Sequence, residues 1–515
     1  MEQMQKEPAA YQRYLENRRL NPITPGRMNL NPGQRVMLED PETGDSLIRI
    51  PVVFHVMHHP DDTLIGWGSN ISDEQIQAQM LALNYDFRRK VGTRGFNTHP
   101  SGSDVRIEFV LAGRDPSGAS HKGINRFPYP LSNAHPYGSL GLKDLMRWPA
   151  DRYLNIWVVG QITLGVLGYS YLPAMLLGDP DVLRKDGIVL GSRVVGSVDF
   201  KPGGKALNLH EIYAYGRTLT HEMGHYLDLY HTWGDGDCSV DDEVEDTPNC
   251  SGPSFGCPRN PAVECPPAPP RMVANYMDYS DDLCMNVFTL GQTARMRASL
   301  TSLYPWRGQL ASLSNLIASG CADSTMPRVG SLARLGGISQ VKVNDTLGRE
   351  EWIRVKDVNG LGKDSVRLVL EPDASDVAGI RVITINPESD AFGYVRFRAV
   401  SGARPGWNRM TARVDESALG TGPQSPSLLL EWRSIAEASL YPNPFTEAVY
   451  LQWDGLDSVS FGWTLLDITG RRIQEGRYSG PAFWTPDVRL WQPQAYMLKL
   501  EWLTGEIEHR RIIKH

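Results

Sequence analysis

At 515 residues, with 41% hydrophobic and 22% charged residues, the chain has ordinary globular composition and exceeds what one hydrophobic core usually supports, so two to four domains are expected. A formal net charge of −7 gives no basic footprint, which sets nucleic-acid binding aside. All six cysteines fall between 238 and 321, in a span rich in Pro, Gly and Asp without a CxxC knuckle, the pattern of disulfide-stapled loops in an oxidising compartment.

The chain opens on MEQMQKEPAAYQRYLENRR, which is polar and lacks the apolar centre of a signal peptide. Against the cysteine pattern, a start truncated or misassigned upstream of Met1 is expected. Residues 1–45 read as the remnant of a pro-segment. SLIRIPVVFHVMHH (46–59) then reads as a β-branched strand. ISDEQIQAQMLALNYDFRRK (71–90) reads as a helix, with Ser72 and Gln75 spaced as a capping box. Strands are predicted at 105–112, 152–162 and 186–197. The apolar run 154–178 is long enough to span a bilayer but carries four Gly and a Pro, and two buried strands with a connection fit it better than a membrane helix.

A helix follows through GRTLTHEMGHYLDLY (216–230), then a loop to about residue 285 and a last amphipathic helix over 289–304. Beyond SGCADS the texture changes to alternating runs such as WIRVKDV (352–358), SVRLVLEP (365–372), IRVITINP (380–387) and YVRFRAV (394–400), which suggest an Ig-like β-sandwich over 322–430. GTGPQSPS (420–427) reads as a linker, and a small separate β domain over 431–515 opens with LYPNPF and closes with HRRIIKH.

The chemistry concentrates in HEMGHYLDLYH (221–231). His221 and His225, four apart, share one helix face and can converge on one ion, and Glu222 is placed to take a proton from water beside it. His231 lies where a chain leaving the helix can return a third ligand, which leaves one coordination position open, as catalytic zinc sites require. In HExxHxxGxxH, the metzincin signature, the glycine marks a sharp left-handed turn, and here Asp228 stands in its place. Asp tolerates that geometry at a cost of about 1–2 kcal/mol, so a left-handed Asp228 with His231 on the metal is expected. Downstream, Met277 and Tyr279 supply the M-x-Y of a Met-turn, whose tyrosine hydroxyl can reach an oxyanion.

LTHEMGHYLDLYHTWG, DTP (246–248), GPSFGC (252–257) and NYMDYSDDLCMN (275–286) together resemble the pappalysin family of metzincins, most closely its secreted bacterial cytophagalysin-like members, over roughly 46–304. The resemblance implies an α/β (α+β) metzincin catalytic domain over 46–321, with a twisted mixed sheet and an active-site helix, followed by the all-β domains. It implies a zinc endopeptidase acting on protein or peptide substrates, with His221, His225 and His231 as ligands, Glu222 as general base and acid, and Tyr279 as transition-state stabiliser. It further implies disulfides Cys238–Cys265 and Cys257–Cys284, which leaves Cys250 and Cys321 open to pairing with each other or with a segment upstream.

Family members bind calcium near the acidic run 235–246, where Asp242, the Glu245 carbonyl and Thr247 are the candidates here; by composition alone the run reads as a solvated acidic loop. Members that prefer Arg after the scissile bond carry an acidic residue where this chain has Leu283, with Asp281 and Asp282 adjacent. Arg and apolar P1′ residues both stay open. Relatives block the zinc with a propeptide Cys or acidic side chain, and Asp40 and Asp45 occupy a suitable segment but read more simply as turn residues.

LYPNPF, LLDITGRRI (465–473) and the closing strand resemble the C-terminal sorting domain of the type IX secretion system of Bacteroidetes. That resemblance implies a secreted or cell-surface protein handled by that machinery. Two other readings are a cell-surface binding protein on a metzincin scaffold, supported by Asp228, and a non-metzincin zincin with a distal Glu ligand, weakened by His231.

Overall fold

The computed structural model describes residues 38–39, 46–130, 133–134, 140–261, 263–300, 304–322 and, with short gaps, 329–515. Asp40, Asp45 and nearly all of the expected pro-segment lie outside the described residues. The chain divides into two compact units, Met1–Met326 and Pro327–His515.

In the first unit β1 (Ser46–His58) runs through the middle of a mixed sheet. It pairs in parallel with β2 (Ile107–Leu111) along Ile48–Val52, with β3 (Ile124–Pro128) along Phe54–His58, and with β4 (Leu154–Val159) along Val52–Met57. Beyond β4 lie β6 (Ile188–Gly191), parallel, and the antiparallel edge strand β5 (Gly168–Ser170). Ile50, Val52, Val53, Phe54 and Val56 are fully buried on β1, which is why its sequence reads as a continuous apolar run rather than an alternation.

Helix α1 (Asp73–Phe87) packs on β2. Ser72 caps it by accepting the Gln75 N–H at 3.1 Å. The Gln75 carboxamide, expected to reach back to the cap, instead donates to the carbonyls of Ser192 and Val195, because burial leaves those loop carbonyls in need of a donor. After α2 (Leu140–Met146), the long apolar run resolves into β4, β5 and the short helix Pro173–Leu176, and no helix among the described residues is long and apolar enough to cross a membrane.

Helix α3 (Arg217–Tyr226) is four residues shorter at its end than the predicted span, because the backbone turns left-handed at Asp228. Between Leu227 and Thr289 the described residues form neither helix nor strand. Helix α4 (Leu290–Ser299) opens on a complete Thr289/Gln292 capping box, which the sequence reading did not anticipate. Instead of one helix to 304, two more follow: α5 (Pro305–Leu310), started by Pro at its first turn, and α6 (Leu313–Ser319), closed by left-handed Gly320.

The second unit is all β. One four-stranded sheet has the order Val329–Leu335, Glu351–Asp357, Tyr394–Val400, Arg381–Asn386; another has Gln340–Lys342, Ser427–Ile435, Gly406–Val414, Leu368–Pro372. Val355, Phe397, Met410 and Trp432 form the core these strands share. Strand Ser427–Ile435 crosses the domain boundary expected at 430, since its alternating apolar residues complete that core; most of the expected linker lies outside the described residues. A second core gathers Phe445, Trp453, Phe461, Leu498 and Trp502. Here Arg472–Pro481 forms an edge strand the sequence reading missed, its residues so exposed that they carry no apolar alternation.

Candidate active site

Helix α3 is held at both ends by other parts of the first unit. On α1, Gln79 donates to Gly216 O at 3.0 Å, and Asp86 accepts the Thr220 hydroxyl at 2.8 Å while pairing with Arg217 at 3.0 Å. At its N-terminus, Asp282 Oδ2 accepts the backbone N–H groups of Tyr215 and Arg217 at 2.9 and 3.1 Å, a cap supplied from the far end of the loop. Burial pushes the Asp282 carboxyl up to about 6 against those donors.

At the C-terminus the Leu229 N–H returns to Gly224 O at 2.9 Å around Asp228, whose φ is 77°. This six-to-one closure is the Schellman pattern, normally served by glycine. It turns the chain so that His225 Nδ1 donates to Leu229 O at 2.8 Å and the following residues fold back over the helix.

The three histidines then meet. His225 Nε2 lies 3.1 Å from His221 Nε2 and 3.0 Å from His231 Nε2. His221 Nδ1 faces Tyr276 O at 2.7 Å, and His231 Nδ1 faces Asp235 Oδ1 at 2.5 Å. All three Nδ1 atoms thus carry their proton toward an oxygen, which turns three bare Nε2 lone pairs on one another with no proton between them. Such a cluster repels itself unless a cation occupies its centre, and the separations suit bonds of about 2.0–2.1 Å to one ion. Burial, then the neighbouring imidazoles, pushes His221 down to about 3 and His225 well below its ordinary value, so both are neutral and ready to ligate. Among the described residues these three form the one group of His, Cys, Asp or Glu side chains suited to a metal.

Glu222 is buried beside them, and desolvation pushes its carboxyl up to about 8 against hydrogen bonds from Ser170. The edge strand comes close here: the Ser170 hydroxyl donates to Glu222 O at 2.9 Å, and a Cβ at Gly168 would stand 3.0 Å from Glu222 Cγ. Beneath the helix lies Met277, fully buried, and a Cβ at Gly224 would overlap its sulfur. Tyr279 stays 42% exposed, its ring centroid 4.8 Å from that of His231, while Trp233 stacks flat on His231 at 4.3 Å. These groups line a cleft of about 860 Å³ together with Tyr169, Tyr213, Phe255 and Asp282; Leu283 is exposed outside it.

The family profile described as Pregnancy-associated plasma protein-A (peptidase M43) matches residues 202–301. An extracellular metalloprotease of Pyricularia oryzae is 33% identical over 252 residues, covering 49% of this chain and 74% of that protein. The chain belongs to the peptidase M43 family. A second relative, an extracellular metalloprotease of Arthroderma benhamiae, is 32% identical over 253 residues, 48% of this chain and 71% of its own. Mature mirolysin of Tannerella forsythia, solved in complex with a cleaved peptide, is 36% identical over 53% of this chain and 99% of its own, with a TM-score of 0.46.

The M43 loop between α3 and α4 carries disulfides Cys238–Cys265 and Cys257–Cys284. Cys250 and Cys321 do not pair with each other: both are free and buried, Cys250 against Thr232 O and Cys321 against Leu111 O. The acidic run is not a uniformly solvated loop, because its carboxylates have separate structural partners. Asp235 orients His231, Glu243 pairs with Arg295 at 2.9 Å, and Asp246 accepts the Thr289 hydroxyl at 2.6 Å and the Gly291 N–H at 3.0 Å, securing the start of α4. Of the calcium candidates, Asp242 and Thr247 meet, the hydroxyl lying 2.7 Å from Asp242 Oδ1, and burial pushes the Asp242 carboxyl up to about 7; the Glu245 side chain is exposed.

Sequence reasoning missed Asp235, Trp233, Gly168, Ser170 and Arg295 in this M43 site. Trp233 and Asp235 had local signals, two and four residues beyond His231, the second hidden within the acidic run.

Proposed function

We propose that this metalloprotease is a secreted zinc endopeptidase with His221, His225 and His231 as ligands. The observation that carries this reading is the convergence of three bare Nε2 atoms beside a buried Glu222 in an open cleft. When bound, zinc supplies Lewis acidity that makes water a competent nucleophile near neutral pH.

Glu222 takes the proton from the attacking water and returns it to the leaving amine. Burial raises this carboxyl, which favours its holding the proton for the leaving amine, and the charge of a bound zinc would favour the ionised form that acts as base. Tyr279, exposed at the cleft, donates its hydroxyl to the oxyanion that forms on the scissile carbonyl. Asp235 and the carbonyls of Tyr276 and Leu229 fix the imidazole tautomers throughout. Asp282 lines the cleft and Leu283 lies outside it, and a cleavage-site profile separates Arg from apolar P1′ residues.

Zinc content and peptide cleavage by purified protein test the proposal, beside Glu222→Ala. Wild type binds one zinc, and the variant keeps it but loses on the order of a thousandfold or more in kcat, as removal of a general base together with its charge does. Absence of zinc, or equal cleavage by the variant, overturns it. The rival reading as a binding protein rested on Asp228, and that turn now has His231 folded onto the cluster.

The extracellular names of the relatives, the loop disulfides and the YPNP and closing-strand signatures support export, with the strands from Ala438 onward as a type IX sorting domain. A calcium ion in the acidic loop, with Asp242, the Glu245 carbonyl and Thr247 as its ligands, rests on the family resemblance alone.

A further inference from the structure

We propose that the Asp228–Arg295 ion pair positions the third metal ligand, replacing the conformational freedom that glycine supplies at this point of the motif. The proposal rests on the reading of His221, His225 and His231 as a zinc site. Asp228 is fully buried at φ 77°, a left-handed backbone state that strains any residue with a Cβ. Its carboxylate lies 3.2 Å from Arg295 Nη2, outside the angles of an aligned hydrogen bond, so the contact is chiefly electrostatic.

Arg295, on α4, grips the same turn in two further ways. Its Nε donates to Asp228 O at 2.6 Å, and its guanidinium lies 4.4 Å over the ring of Tyr230, the residue immediately before His231. Nη1 reaches Glu243 in the acidic loop at 2.9 Å. One buried guanidinium therefore touches the backbone of the strained residue, its carboxylate, the residue next to the ligand and the loop that supplies Asp235 to that ligand. Glycine would need none of the carboxylate pairing. Aspartate without Arg295 would leave a buried charge uncompensated at a strained turn, and the turn would reopen to hydrate it. Asp228 and Arg295 are thus coupled positioning residues, neither touching substrate.

Zinc affinity by chelator competition, on variants shown to be folded by circular dichroism, tests the coupling. Arg295→Gln weakens zinc binding by about tenfold or more, the usual scale for losing support behind a ligand. Asp228→Gly alone stays within about threefold of wild type, and Asp228→Gly combined with Arg295→Gln recovers to within about threefold of Asp228→Gly, well inside that tenfold scale. A merely structural arginine would give the double variant the same loss as Arg295→Gln. That outcome, or undiminished affinity in Arg295→Gln, overturns the proposal. If Arg295→Gln does not fold, Arg295→Lys, which keeps the charge and loses the fork, shows a smaller loss that Asp228→Gly again rescues. His225→Ala is the control: if it also binds zinc like wild type, the zinc reading itself fails, whereas an empty His225→Ala beside unaffected Arg295→Gln overturns only the positioning role.

Discussion

In the first unit, Arg217–Asp86, Arg295–Asp228 and Arg307–Asp186 are ion pairs whose side chains are at most 5% exposed; in Pro327–His515, pairs such as Arg472–Glu475 and Arg489–Asp487 stand at half exposure or more. The second unit satisfies its backbone through strand ladders and fills its cores with aliphatic and aromatic side chains. The first must hold some sixty residues of irregular chain around a cluster of histidines, and irregular chain leaves carbonyls and N–H groups that only polar side chains can reach. Buried arginines do this: Arg307 donates to the carbonyls of Tyr226 and Tyr171 as well as to Asp186. Such pairs add little net stability but fix one arrangement, which three converging histidines need and paired strands do not.

The largest test of that contrast is Arg307→Ala. It leaves Asp186 buried and unpaired and strips the end of α3 of its donor, so it should cost the first unit about 3–5 kcal/mol in denaturant unfolding. The second unit's transition stays where it was, and Arg489→Ala there moves nothing measurable. Equal stability of Arg307→Ala and wild type would break the comparison.

A smaller effect is expected at Gly224, where Ala forces its Cβ against the Met277 sulfur. Overpacking of about 1–3 kcal/mol should lower both melting temperature and zinc retention, and Met277→Ala should relieve part of it. No relief would mean the Met-turn does not bear on the helix.

A third test is a pH effect at Lys143, buried among Trp157, Tyr169 and Tyr171 with its Nζ 2.6 Å from Lys185 O. Burial pushes its ammonium down to about 7, against the pull of Asp186. Between that value and the ordinary 10.5 the unfolded chain binds the extra proton and the folded chain does not, so stability rises with pH across this window and is flat below it. The first unit should therefore gain a few degrees in melting temperature between pH 7 and 10, and Lys143→Met should remove that slope.

Much of the site was legible because its signals are local. His221, Glu222 and His225 fall on one helix turn whatever surrounds them, and Asp228 had to turn left-handed for His231 to return. Met277 and Tyr279 were visible as a short motif, and the disulfides through family resemblance. The end of α3 was misjudged because apolar periodicity continues through Leu229 and Tyr230, which are buried by the turn rather than by the helix. Asp282, read as a pocket residue, also caps α3, and no pattern joins it to Tyr215 across 67 positions.

The sequence by itself determined which three histidines converge, the strained turn and the alternation of the β unit, all of which depend on neighbours within a few residues. Only the tertiary structure decided which carboxylate orients His231, which arginine supports Asp228, and how closely the edge strand approaches Glu222. Those contacts join residues far apart in the chain, where burial, not spacing, selects the partner.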